Sequence, residues 1–313
     1  MALLLKDDDV TSLFTMDMAL DALEELFRQR GSGNAVVRPR TRMALPDGSN
    51  NLMAGWVGKP INAYGLKMYG GAGGGSGTTA KPLVLLYDGT TGALLAILEA
   101  ARLGAVRTGA ASGIGTRYMA REDASTVGMI GVGGQAATQL EAVCKVRDIR
   151  QALVYSRTEA KREAFAKEMT QALSIPVTAA ESAEACIRDA DIAITITNAA
   201  TPVLKGAWLK PGTHINAAGS NNMLHAEVDG ETIMRASVIA ADDVAQAKTE
   251  SGELISAINQ GLLRWEQVHE LAEVVSGRVS GRPSSDAITL FASQGIGTED
   301  MAAARVIYEE ARE

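Results

Sequence analysis

Gly131, Gly133 and Ala136 stand in the order G-x-G-x-x-A within "MIGVGGQA", directly after a short apolar run and directly before a stretch with helical apolar spacing. Each position has a physical task in a dinucleotide fold: the first glycine turns the chain, the second lets a pyrophosphate come close, and the small third residue lets helix meet strand. Gly134 and Gln135 complete the loop, whose free backbone N–H groups face an anion at a helix start. The end of the next apolar run then discriminates between cofactors. An NAD site usually places an acid there for the ribose 2′-hydroxyl. Here "QALVY" runs into Ser156, Arg157 and Thr158. A 2′-phosphate meets no negative charge, can pair with Arg157 and can accept from Ser156 or Thr158. The spacing therefore predicts NADPH as cofactor, with NADH the weaker alternative. Lys161 and Arg162, just beyond, can add to the field there but read rather as a solvated helix face.

A second glycine cluster, "GGAGGGSG" at 70–77, lacks that context. The apolar run after it ends in the turn "DGTTG" and a further apolar run, which is a hairpin. No Gly-Lys-Ser/Thr is present to serve a nucleoside triphosphate, so the cluster reads as a flexible loop.

Around these motifs, residues 11–30 carry the apolar spacing of one amphipathic helix. Residues 36–98 alternate short apolar runs with turn signals and predict a mostly antiparallel sheet. The alanine- and glycine-rich stretch at 101–120 predicts a helix able to pack closely. From Ser125 onward, apolar runs of four to six residues alternate with helical stretches, which predicts βαβ units and a parallel sheet covered on both faces. The last segment ends in a helix expected to be capped by Thr298, with acids in its first turn, and to return to the first domain. The expected architecture is α/β: a Rossmann-type doubly wound sheet at 123–293, inserted into an α+β domain made of 1–122 and 294–313.

Composition narrows the class. With 46% hydrophobic and 21% charged residues the chain has an ordinary globular balance. A net charge of −7 argues against non-specific nucleic-acid binding. No apolar run reaches a membrane span, and the N-terminal "MALLLKDDDV" meets acids too early for a secretory signal. Cys144 and Cys186 have no metal-ligand spacing and read as buried thiols of a reducing cytoplasm. His214, His225 and His269 are scattered, so no metal site is expected.

In order and spacing, "PRTRMALPDG", "GLKMY", "VRTGAASG", "GVGGQA", "VYSRT", "NAAGSN", "DDVAQ" and "ITLFASQGIGTEDMAAA" resemble the ornithine cyclodeaminase/mu-crystallin family. The resemblance covers nearly the whole chain. It implies a homodimer, and an oxidoreductase that exchanges a hydride between nicotinamide and the α-carbon of an amino or imino acid. It also implies that Arg40, Lys67 and Arg107 hold the substrate carboxylate, a task suited to a planar guanidinium fork and a movable ammonium. Lys67, between two arginines, is then a candidate proton relay. Thr108, on the cofactor side, and Asn221, in the catalytic group, are candidates for polar contacts in the site.

Two departures bear on the substrate. Where cyclodeaminases of the family carry a glutamate and an aspartate, this chain has Asn51 and Asn221. The expected reaction is therefore reduction of a cyclic imino acid, Δ1-pyrroline-2-carboxylate or Δ1-piperideine-2-carboxylate, to proline or pipecolate. The alternatives are an ornithine cyclodeaminase or alanine dehydrogenase-like enzyme, and a mu-crystallin-like NADPH-dependent binding protein. In this frame loop 70–77 becomes a wall near the substrate.

Overall fold

A computed structural model describes residues 2–72 and 81–313. The chain forms two compact units, one of residues 1–107 and 295–313, the other of residues 108–294. Against expected boundaries near 122 and 293, the first division falls between Arg107 and Thr108, inside the continuous helix Ala101–Met119. A boundary within a helix carries no linker composition that a sequence could display.

Among the described residues the first unit holds six strands: β1 (Leu3–Leu5), β2 (Ala35–Leu45), β3 (Gly48–Val57), β4 (Ala63–Ala72), β5 (Leu83–Asp88) and β6 (Leu94–Glu99), in the order β1-β6-β5-β4-β3-β2. All neighbours are antiparallel except β1, which runs parallel to β6. β5 and β6 form the expected hairpin, closed where Asp88 Oδ1 accepts from the backbone N–H groups of Thr90 and Thr91. β4 runs on through Gly70 and Gly71 to Ala72, opposite Gly48 to Asn50, so the glycine cluster begins as strand. Its remainder, 73–77, lies outside the described residues.

The single helix expected over 11–30 is two helices, Asp7–Leu13 and Met16–Gly31. Phe14 and Thr15 are extended between them, and Thr15 Oγ1 accepts from Met18 N at 3.4 Å. That cap starts a new helix in the middle of an apolar pattern that runs through it.

The last helix, Gly297–Glu310, packs on β3 and β4. Glycines make this approach possible. A Cβ at Gly55 would fall 2.6 Å from Thr298 Cγ2, and one at Gly65 would fall 2.9 Å from Met301 Sδ and 1.9 Å from the Leu85 carbonyl oxygen. The residue flanking the helix start is Ile296, so Thr298 lies within the first turn and is not its cap. Its hydroxyl is buried without a hydrogen-bond partner.

The second unit holds eight strands: β7 (Thr126–Ile130), β8 (Gln151–Tyr155), β9 (Val177–Ala179), β10 (Ile192–Thr195), β11 (His214–Ala217), β12 (Ala236–Ala241), β13 (Val268–Glu270) and β14 (Ile288–Ala292). Every pairing is parallel, in the order β13-β12-β14-β11-β10-β7-β8-β9. Both faces are covered, one cluster including Ile215 and Leu290, the other Met129 and Ile194. This is why central strands such as β10 and β14 are apolar almost throughout instead of alternating. Strand order reverses between β7 and β10, the crevice where doubly wound sheets take ligands.

Candidate active site

In the first unit, side-chain parity brings the predicted cations together. β3 and β4 pair Met53 with Lys67 and Asn51 with Tyr69, so these four share the sheet face on which the last helix lies. Arg40 joins them through an irregularity in β2. The register with β3 shifts between Arg38 and Thr41, at Pro39, which has no N–H to give the ladder. Arg38 stays on the face of Val36 and is exposed, whereas Arg40 is turned to the inner face and buried. Its Nη2 donates to the Gly295 carbonyl at 3.1 Å and lies 3.6 Å from Met53 Sδ. Arg42, further along, remains exposed.

Arg107 and Lys67 meet two carboxylates from the first turn of the last helix. Arg107 Nη1 is 2.7 Å from Glu299 Oε2, and its Nε is 3.0 Å from Asp300 Oδ1. Lys67 Nζ donates to the same Asp300 oxygen at 3.0 Å. Tyr69 completes the group, its ring centroid 5.9 Å from Arg40 Cζ and 5.6 Å from Lys67 Nζ. Two more glycines leave room for the cations. A Cβ at Gly104 would meet Lys67 Nζ at 2.8 Å, and one at Gly295, whose φ is +73°, would meet Arg107 Nη1 at 2.5 Å.

Sequence reasoning placed Lys67 between arginines and left out Glu299 and Asp300. Acids in a helix first turn are explained by the helix dipole alone, so the "TED" motif gave no reason to look further. The one signal in the sequence is the small, apolar run "MAAA" that follows them and marks this end of the helix for close packing.

The electrostatics follow from burial and these partners. Burial pushes the Asp300 carboxyl up, but Arg107 and Lys67 outweigh it and hold the group below its ordinary value. Lys67 is lowered, by burial first and then by Arg107 and Arg40, with Asp300 opposing. Burial acts against the Arg107 charge as well, and Asp300 and Glu299 reverse it, leaving the guanidinium more firmly protonated. The group thus gathers three cations, Arg40, Lys67 and Arg107, and two carboxylates, Glu299 and Asp300. Asp300 Oδ2 accepts no hydrogen bond, nor does Asn51 Oδ1, while Asn51 Nδ2 reaches the Tyr69 carbonyl at 3.5 Å. Such a cluster can bind one carboxylate and pass a proton through an amine.

In the second unit, β7 ends at the G-x-G-x-x-A loop and the helix Ala136–Val146 follows. Gly131 has φ +111°, and a Cβ there would fall 2.2 Å from the Ile196 carbonyl oxygen, so the fold itself requires glycine. Gly133 and Gly134 differ. A Cβ at either would meet nothing within 4 Å, so protein packing does not demand glycine at these positions. Open space before a helix start fits the close approach of a pyrophosphate, and Gln135 flanks that helix with no side-chain cap.

The β8 end carries Ser156 half-buried, with its Oγ donating to the Thr158 carbonyl at 3.1 Å, and Arg157 exposed. Arg162 is not the solvated charge expected. It donates to the Ser156 carbonyl at 3.2 Å and lies 5.7 Å from the Tyr155 ring centroid, which adds a cation to this strand end. Thr108 is buried, and its carbonyl accepts from Gln139 Nε2 at 3.2 Å. Here the small-residue helix touches its neighbour, for a Cβ at Gly109 would fall 2.4 Å from the Thr138 carbonyl oxygen. Asn221 is half-buried in the segment after β11, within the second unit, apart in sequence and unit from Lys67 and Arg107. Among the described residues no cluster of histidine, cysteine or acids could hold a metal ion.

Residues 2–313 match the model of the ornithine cyclodeaminase/mu-crystallin family. The chain belongs to that family. This family member is 37% identical over 236 residues to a Δ1-pyrroline-2-carboxylate reductase of Bacillus cereus, covering 75% of this chain and 72% of that one. It is similar to the structure of Thermococcus litoralis Δ1-pyrroline-2-carboxylate reductase in complex with NADH and L-proline, with a TM-score of 0.93, 36% identity and coverage of 99% and 97%. An archaeal alanine dehydrogenase dimer with bound NAD matches it with a TM-score of 0.92 and 34% identity, covering 99% and 96%.

Proposed function

We infer that this family member is an NAD(P)H-dependent reductase of cyclic imino acids, converting Δ1-pyrroline-2-carboxylate or its six-membered homologue to the cyclic amino acid. The observation that carries the reading is the buried group of Arg40, Lys67 and Arg107 in one site, with Lys67 and Arg107 fixed in place by Asp300 and Glu299. A substrate carboxylate suits a site rich in cations, and the guanidinium forks fix its orientation. The likeness to two pyrroline-2-carboxylate reductases supports the same substrate class.

When bound, the dinucleotide supplies the hydride. The chain's own residues do the rest. Arg40 and Arg107 hold the carboxylate, which sets the imine carbon in one place. Lys67, lowered by burial and by the two arginines, gives its Nζ proton to the imine nitrogen and is recharged from solvent. Asp300 steadies Lys67 and Arg107 through one shared oxygen. Asn51 offers an amide where a diamine substrate needs a negative partner for its distal ammonium, since an unpaired buried charge is expensive, and Asn221 of the second unit likewise carries no charge. On the cofactor side, Arg157 and Arg162 favour a 2′-phosphate and hence NADPH over NADH.

We also assign homodimerisation to the first unit. The sheet face opposite the last helix exposes Val36, Met43 and Met68. Among the described residues no helix is long and apolar enough to cross a membrane. Cys144 and Cys186 are both unpaired, their thiols pushed up to about 12 by burial. A reducing cytoplasm is the compartment we propose on that ground.

The test is NADPH oxidation, followed at the nicotinamide band, with Δ1-pyrroline-2-carboxylate, Δ1-piperideine-2-carboxylate, pyruvate plus ammonia, and ornithine in parallel. Turnover with a cyclic imine and little ammonia release from ornithine is expected. Pyruvate reduction exceeding both imines would instead favour the alanine dehydrogenase reading, which the second structural likeness supports.

A further inference from the structure

The second unit contains a cavity of about 310 Å³ that none of Gly131–Gln135, Ser156–Thr158 or Asn221 lines. Its walls are the segment after β11 and the helix Gly252–Asn259, pressed so closely together that a Cβ at Gly252 would fall 2.0 Å from the His225 carbonyl oxygen. Glu253 is part of its lining, only 4% exposed, and Glu253 Oε2 accepts no hydrogen bond. Asp229 is the other acid of the lining, and no lysine or arginine contributes. Asp229 is already used, its Oδ1 accepting from Gly206 N and Thr232 N. The mouth is apolar, with Met223 55% and Leu224 78% exposed, beside the exposed Ser256.

A carboxylate oxygen buried without a donor costs free energy that a bound donor would return. The lining excludes phosphates and carboxylates, which would meet two acids and no cation. It suits a positive head with a short apolar tail. We propose that this cavity is a second small-molecule site, binding an organic monoammonium ion whose head pairs with Glu253 and whose tail lies against Met223 and Leu224.

The pairing has a proton cost. Burial first, and then the charge of Glu227, push the Glu253 carboxyl up to about 8. Asp229 and His225 are the other titratable groups of the cavity lining, and Glu250 lies three residues before Glu253, buried as well. Near neutral pH Glu253 holds a proton that the ammonium must displace. Binding therefore releases a proton and strengthens as pH rises toward 9, by about tenfold from pH 7, the change in the ionised fraction of a group titrating near 8.

Calorimetric titration of the full-length protein with n-butylammonium, 1-butanol and butyrate, at pH 7 and pH 9 and in buffers of different ionisation enthalpy, tests this. Saturable binding of the amine alone is expected, with proton release at pH 7. Glu253→Gln should weaken it at least tenfold. Ser256→Phe, which fills the mouth and leaves the carboxylate, should do the same and serves if the first variant does not fold. Absence of saturable amine binding, equal binding of the alcohol or the acid, or amine affinity unchanged in the folded variants would overturn the proposal. Cyclic-imine turnover is measured alongside only to show that the protein is native, because the site does not depend on that activity.

Discussion

Asp300 gives the cation group its shape. One oxygen holds both Lys67 and Arg107, so replacing the charge with an amide removes the group that opposes loss of the Lys67 proton. For Asp300→Asn we expect catalytic efficiency with a cyclic imine to fall at least tenfold while cofactor KM stays within about twofold, the pattern of a lost transition-state interaction. Asp300 raises the Lys67 value, so its removal should also move the alkaline limb of the pH–rate profile to lower pH. A profile that keeps its alkaline limb would show that Lys67 is not the proton source. At the other site, Arg157→Ala should weaken NADPH more than NADH, by about 1 to 3 kcal/mol for one charge-assisted contact. Equal losses for the two cofactors, measured by fluorescence titration, would rule out a 2′-phosphate partner.

Elements differ in how far the sequence exposes them. The G-x-G-x-x-A loop was legible because its cause is local, with strand, turn and helix inside twenty residues. Lys67 and Arg107 stood out by residue type, but their partner Asp300 lies 233 residues from Lys67, and no spacing rule reaches that far. The break at Phe14–Thr15 was hidden by apolar periodicity that continues across it. The inward turn of Arg40 depends on a one-residue register shift in β2, which exchanges faces without changing composition. β11 carries a pH signature of its own. His214 is fully buried, with Nδ1 2.9 Å from Thr289 Oγ1 and Nε2 3.2 Å from Asn216 Oδ1. An amide oxygen only accepts, so Nε2 bears the proton of the neutral ring. Burial chiefly, with the Arg282 charge, pushes this imidazole down to about 3 from 6.5. Between those values the unfolded chain binds a proton that the folded chain refuses. Stability should therefore fall as pH drops through that window, by about 1.4 kcal/mol per pH unit from this group. Urea titrations at pH 7, 6 and 5 should show a shallower acid limb in His214→Gln, although that variant starts less stable. An unaltered slope would assign the acid sensitivity elsewhere.

At the scale of the molecule, the exposed face of Val36, Met43 and Met68 predicts the assembly. Sedimentation velocity should give a dimer for the native chain and a monomer for a Val36→Glu/Met43→Glu double variant, since two buried charges in an apolar contact have no partners. A variant that stays dimeric would move the interface to another surface. The order of the chain has a further consequence for how the molecule is made. Residues 108–294 lie between the two parts of the first unit. During synthesis Arg40, Lys67 and Arg107 leave the ribosome long before Glu299 and Asp300 exist. The second unit has all its strands in one continuous run, whereas the first must wait for a helix at the far end of the chain. Until that helix arrives, three cations on one sheet face and in the helix after it repel one another in water, and apolar residues such as Met53 lack their cover. The acids that complete the site thus belong to the last element of the chain to be made, so the cation group meets its counter-charges only when that C-terminal helix docks.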